Sequence, residues 1–274
     1  MHRTRWSRSL VMLLPLWCAA CSSATGDHAH STETPPAATA SSTVPVASGV
    51  RADLEEVHAV TALGDSVPHG SACKCEPYPQ LTGADIAKIA GHAVAVSNDA
   101  VPGAQSGTVV DQVRHDPTIG TDIKGAQAVL VEVGANDVGY SSTCGTDPSC
   151  YEARIPAIAH NLTTIVEQIH ALADGHEQIV ILLDYWSVWL GGQYEKAQGP
   201  EYTFAADTVT ARVDETIQSV ARATGSAYVD LRTAFRGPDG NWDETHLLAS
   251  DGDHPNAEGH QRIAQAIADT VGLR

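Results

Sequence analysis

The stretch TALGDSVPHG, Thr61 to Gly70, places Ser66 two residues after Gly64, where an apolar run ends. A hydroxyl there could serve as a nucleophile while neighbouring backbone N–H groups point outward to hold a developing oxyanion. Taken alone, Gly, Asp and Ser are also the usual residues of a turn. Serine is a weak nucleophile at neutral pH and needs a base, normally a histidine held in one tautomer by a carboxylate. Of the 13 histidines, His254 has the best surroundings: Asp251 precedes it by three residues in the loop ASDGDHPNAEGH, and Pro255 breaks the chain directly after it. That spacing lets the carboxylate reach Nδ1 and leaves Nε2 free to face Ser66. Asp253 competes for the orienting role, but neighbouring side chains usually diverge. His69 lies near Ser66 without an orienting carboxylate, and His260 reads as a surface residue.

Two further turns offer oxyanion donors. In NDAVPGAQSG, Gly103 allows close approach and an unhindered N–H. In VGANDVG, the uncharged Asn136 amide carries two N–H donors.

The elements that must position these residues alternate in type. EVHAVTALG, HAVAVSN, AQAVLVEVG, QIVILLDYW and SAYVDL read as strands. Amphipathic stretches of helix length lie between them and after the last. In the longest, Ile155, Ile158, Leu162, Ile165, Ile169 and Leu172 recur at steps of three and four, which makes one face apolar. Strands each followed by a helix imply right-handed crossovers, hence an α/β fold: a three-layer α/β/α sandwich around a five-stranded parallel sheet. Ligands of such sheets bind beyond the C-terminal ends of the strands. Ser66, Gly103 and Asn136 each follow a strand, so the topology brings them to one edge.

The four segments, GDS with Ser66, VPGAQSG with Gly103, GAND with Asn136 and DGDHPN with Asp251 and His254, resemble in order the blocks of the SGNH hydrolases, or GDSL esterases and lipases. The resemblance implies a flavodoxin-like sandwich and Ser66 as nucleophile. It implies His254 as base and then acid, oriented by Asp251, and an oxyanion hole from the Ser66 N–H, the Gly103 N–H and the Asn136 amide. Val67 stands where the family name has Leu, a change in packing beside the nucleophile.

The rest of the sequence sets the context. Residues 1–20 carry Arg3, Arg5 and Arg8, an apolar run from Leu10 to Trp17 and the small pair Ala19-Ala20, as a signal peptide does. CAAC makes Cys21 a candidate lipidated residue, although Cys18 stands where a lipoprotein signal prefers Leu. Residues 21–52, rich in Ser, Thr, Ala and Pro, read as a flexible tether, and 53–274 as the hydrolase domain. The expected location is outside the cell or in its envelope, with membrane contact only through an N-terminal lipid. With 16 Lys and Arg against 33 Asp and Glu, a net charge of −17 argues against a nucleic-acid partner. A monomer needing no metal or cofactor is expected, acting on a small-molecule or lipid ester.

Cys144 and Cys150 in CGTDPSC close naturally as a small loop, leaving Cys73 with Cys75, though crossed pairings remain open. A four-cysteine zinc site has the CKC spacing against it. Trp186, Trp189 and Tyr194, after the fourth strand, are candidates to line an acyl or sugar-facing cleft; Trp242 is ambiguous. A short-chain carboxylesterase is the first reading, with a lipase, a deacetylase of envelope polysaccharide or a non-catalytic tethered ligand-binding protein as alternatives.

Overall fold

A computed structural model describes residues 56–273. The expected signal peptide, Cys21 and the expected tether lie outside the described residues. Five parallel strands form one sheet: β1 (Ala59–Gly64), β2 (Ala95–Asn98), β3 (Ala128–Glu132), β4 (Ile179–Leu183) and β5 (Ala227–Val229), in the order β2-β1-β3-β4-β5. β1, β3 and β4 are almost wholly buried, as expected of strands covered on both faces. The order reverses between β1 and β3, the topological switch point where such sheets open a crevice. Register across this junction pairs Gly64 with Glu132, so both strands end at the same level.

The helices are α1 (Ser66–His69), α2 (Tyr78–Ala90), α3 (Ser106–His115), α4 (Pro117–Gly125), α5 (Ser149–Glu152), α6 (Ile155–Leu172), α7 (Gly192–Lys196), α8 (Pro200–Thr224), α9 (Leu231–Arg236) and α10 (Ala257–Val271). α2 and α10 pack together against one face of the sheet, while α3, α6 and α8 pack against one another on the other. This is the expected three-layer sandwich. On α6 the predicted stripe is buried at Ile158, Leu162, Ile165 and Ile169, with Ile155 and Leu172 half-covered at its ends. Two short 3₁₀ turns matter for function: Ala135–Asp137, directly after β3, and Glu244–Leu247, before the last loop. No helix among the described residues is long and apolar enough to cross a membrane.

The cysteines pair as Cys144 with Cys150 and Cys73 with Cys75, with Cα–Cα separations of 5.6 and 5.1 Å. Both pairs brace loops at the C-terminal edge of the sheet.

Candidate active site

The nucleophile turn is built from the core outward. Gly64 ends β1 at φ 144° with its α-carbon against the Glu132 carbonyl, where a Cβ would overlap that backbone. Only glycine is tolerated at so close a crossing. Asp65 then turns inward, 1% exposed. Its carboxylate caps α1 by accepting from the Val67 N–H at 3.1 Å, and it accepts from the Tyr185 hydroxyl at 2.7 Å. Burial pushes the Asp65 pKa up to about 6, against the pull of those two donors. Glu132 is fully buried, and burial and the nearby Asp65 raise its carboxyl well above the usual range. The next residue, Ser66, is left half-buried at the start of α1. Its N–H has no acceptor among the described residues.

The two donor turns are sewn together. Val101 to Ala104 is a Pro-Gly turn, closed by Ala104 N–H to the Val101 carbonyl at 3.0 Å with Gly103 at φ 78°. Val101 N–H reaches the Gly64 carbonyl at 2.9 Å, which hangs this turn on β1. Asn136 Nδ2 donates to the Ala104 carbonyl at 3.1 Å, and Gln105 Nε2 donates to the Asn136 carbonyl at 3.1 Å. Asp137 accepts from the Ser106 hydroxyl and N–H at 2.6 and 2.8 Å. One Asn136 N–H is thereby fixed in direction, and the second hydrogen and the Gly103 N–H have no acceptor among the described residues.

The candidate base, His254, arrives on the loop between the second 3₁₀ turn and α10. His254 Nδ1 lies 2.8 Å from Asp251 Oδ2, and Asp251 Oδ1 accepts from the backbone N–H of Asp253 and of His254, each at 3.1 Å. Burial alone would raise the Asp251 pKa. The ring and backbone donors outweigh it and hold the carboxylate below its ordinary value. With Nδ1 bound to a carboxylate, it carries the proton, and Nε2 is the free base.

Ser66, Asn136 and His254 line one cavity of about 360 Å³, together with Asp65, Asp253 and a wall of aromatic rings. Three of the five expected catalytic residues thus meet there. Asp251 reaches the cavity through His254, and Gly103 is joined to it through Ala104. Trp186 and Trp189 also line it, though both are buried: Trp186 stacks on Phe235 at 4.3 Å, and Trp189 donates from its indole N–H to the Val138 carbonyl at 2.8 Å.

Tyr194 differs from expectation. It is not in the lining; its ring packs against Gly252, inside the Asp251–His254 loop, where a Cβ would collide with it. It packs beneath the loop that carries Asp251 and His254. His260 is a second correction, because it is fully buried on the core face of α10 and accepts from the Tyr78 N–H at Nδ1, 3.2 Å away. Burial lowers its pKa to about 4. Trp242 stands outside the cavity, exposed and stacked on Gly237.

Among the described residues, one group of three could gather around a cation: Cys73, Cys75 and His260, whose ligand atoms lie within 4.8 Å of one another. His260 accepts a hydrogen bond at Nδ1, so its neutral ring carries the proton on Nε2 and offers no lone pair there. The two sulfurs are bonded to each other. This donor set does not suit a metal.

Sequence reading missed three residues at or around the site. Asp65 was visible only as part of a turn, since its partner Tyr185 is 120 residues away. Tyr140 carried no signal. Asn256 did have one: an Asn before a helix is a cap, and here it accepts from the Glu258 and Gly259 N–H groups at 2.9 and 3.1 Å. Its amide also donates to the His246 and Leu248 carbonyls at 2.8 and 2.9 Å, which pins the base loop.

The sheet order and the strand-edge cavity define a flavodoxin-like three-layer sandwich, and known proteins share this fold. Among solved structures, the lipase Lip_vut3 from a goat rumen metagenome is similar at 17% identity, TM-score 0.63, over 77% of this chain and 96% of that one. An acetylxylan esterase, Axe2 of Geobacillus stearothermophilus, is similar at 16% identity, TM-score 0.56, over 79% and 95%. No curated protein matches the sequence. The profile of the GDSL-like Lipase/Acylhydrolase family matches residues 62–262. The chain belongs to that family, and it is an ester-hydrolysing enzyme.

Proposed function

We propose that this chain is an exported serine carboxylesterase, working through an acyl-enzyme on Ser66 and acting on small esters. The observation that carries it is the meeting of Ser66, Asn136 and His254 in one cavity, with His254 Nδ1 2.8 Å from Asp251. Ser66 Oγ attacks the ester carbonyl as its proton passes to His254 Nε2. The oxyanion that forms is held by the Ser66 N–H, the Gly103 N–H and the free hydrogen of the Asn136 amide. His254 then gives its proton to the departing alkoxide, and the C–O bond to the alcohol breaks. Water enters, loses a proton to His254 and attacks the acyl carbon; collapse returns the proton to Ser66 and frees the acid.

The cavity, about 360 Å³, is near the small end of ligand sites, and buried Trp186 is part of its lining, which favours a short acyl group over a long one. Hydrolysis of 4-nitrophenyl acetate should exceed that of the palmitate ester and should disappear in Ser66→Ala. A palmitate optimum would overturn the short-acyl reading, and undiminished turnover in the variant would overturn the nucleophile.

The anchor belongs to the same proposal. The mature protein is expected to begin at Cys21, carrying a diacylglyceryl group, with residues 21–52 as the tether. Intact mass of membrane-fraction protein checks it; unmodified Cys21 in a protein found only in the medium would refute it.

A further inference from the structure

The cavity has a chemical bias that ester hydrolysis does not require. Its charged lining groups are Asp65, Asp253 and His254, and neither Lys nor Arg contributes. Asp65 is committed to Val67 and Tyr185. His254 is committed to Asp251. Among the described residues the side chain of Asp253 has no hydrogen-bond or ion-pair partner, while its backbone N–H is used to hold Asp251. Orienting the base has therefore been given to Asp251, and Asp253 is a carboxylate facing the cleft without a task.

The same cavity is lined by a cluster of aromatic rings. Tyr140, Trp189 and Tyr202 line the cavity, and each of their three pairs has ring centroids 5.2–5.3 Å apart. Tyr140 is half-exposed at the rim, and Trp189 is locked behind it by its bond to Val138. Asp253 lies close enough to act electrostatically on the Tyr202 hydroxyl, whose pKa is raised first by burial and further by negative neighbours that include Asp253. Aromatic faces and an unpaired carboxylate in one concave site are the two elements that recognise an ammonium or quaternary ammonium group. An anionic head would meet Asp253 with no compensating cation, and a neutral head would leave the carboxylate unused.

We propose that the cleft selects esters carrying a cationic, ammonium-type head group, held between Asp253 and the Tyr140–Trp189–Tyr202 wall while the ester carbonyl sits at Ser66. This rests on the ester-hydrolase reading above and names the substrate class of that site. Asp253 is then a specificity-determining residue, and the protein's net charge of −17 adds a long-range field of the same preference.

The test compares two esters of one shape, acetylcholine and its uncharged carbon isostere 3,3-dimethylbutyl acetate. The expected ratio of kcat/KM favours the cation by roughly tenfold or more and narrows as salt is raised. In Asp253→Asn the ratio should fall several-fold toward one, and Asp253→Glu should restore part of it. A role of Asp253 confined to folding, or to tuning His254, would change both esters alike and leave the ratio unmoved. A ratio at or below one in the native enzyme, or one unchanged in Asp253→Asn, overturns the proposal. Turnover of the neutral isostere reports the ester-hydrolase reading separately. Binding of tetramethylammonium to Ser66→Ala, followed by tryptophan fluorescence, reads the head-group site even where no ester is cleaved; no saturable change would also overturn it.

Discussion

The two halves of the candidate site are held in different ways. The nucleophile half rests on the sheet: Gly64, Asp65 and Glu132 are buried in the β1–β3 junction, and the donor turns hang from it by backbone hydrogen bonds. The base half is a surface loop. Asp251 is 41% exposed, and the loop keeps its shape through its own hydrogen bonds, the Asn256 clasp, a bridge from Leu248 to Pro255 and the Tyr194 ring beneath Gly252. Damage to the first half should therefore unfold the protein or leave it intact and inert. Damage to the second should leave a folded enzyme whose base is misplaced.

The largest effect short of removing the nucleophile is expected at Asn136. Asn136→Ala removes one oxyanion donor and should lower kcat by on the order of 10²-fold or more. KM for 4-nitrophenyl acetate should change little, because the charge on oxygen exists only in the transition state. A loss confined to KM would contradict the role.

Gly252→Ala tests the loop side. Its φ of 75° and the Tyr194 ring leave no room for a Cβ, so the loop must shift. Turnover should drop by roughly tenfold to a hundredfold, in line with the cost of misplacing a catalytic group, while the melting temperature changes far less than in Gly64→Ala, which strikes the β1–β3 crossing. Equal thermal damage from both would erase the distinction between the halves.

The smallest effect concerns pH. Burial raises the pKa of Asp65 to about 6 and that of Asp184, directly after β4, to about 7. Both lie above the ordinary carboxylate value, so between pH 4 and 7 the folded chain binds more protons than the unfolded one. Stability from these groups is present at low pH and lost as pH rises through 6 and 7. Melting temperature should fall by roughly 5 °C between pH 5 and pH 8. A rise over that interval would show that other groups dominate.

The same contrast explains what could be read from the sequence. All five strands were legible as apolar runs, and each is shorter in the structure: β1 and β2 begin three residues later than expected and end where expected, while β3, β4 and β5 also lose their last residues, which turn off the sheet toward the site. Ser66, Asn136 and His254 were legible because each follows a strand or precedes a helix in a short turn. α4 was missed although Asp116 and Pro117 form a standard helix start, with Asp116 accepting from the Thr118 N–H at 2.8 Å. His260 was misplaced although Ile263, Ala264 and Ile267 share its helical face. Asp65 and Tyr194 were beyond reach, because their roles depend on contacts across 120 and 58 residues of chain.

The central claim is that Ser66 is the activated nucleophile. Incubation of the native protein with a fluorophosphonate, followed by peptide mapping, should give one stoichiometric phosphonyl adduct, on Ser66, and the adduct should be absent from Ser66→Ala and much slower to form in His254→Ala. An adduct on another serine, or none on a protein that still hydrolyses 4-nitrophenyl acetate, would contradict it.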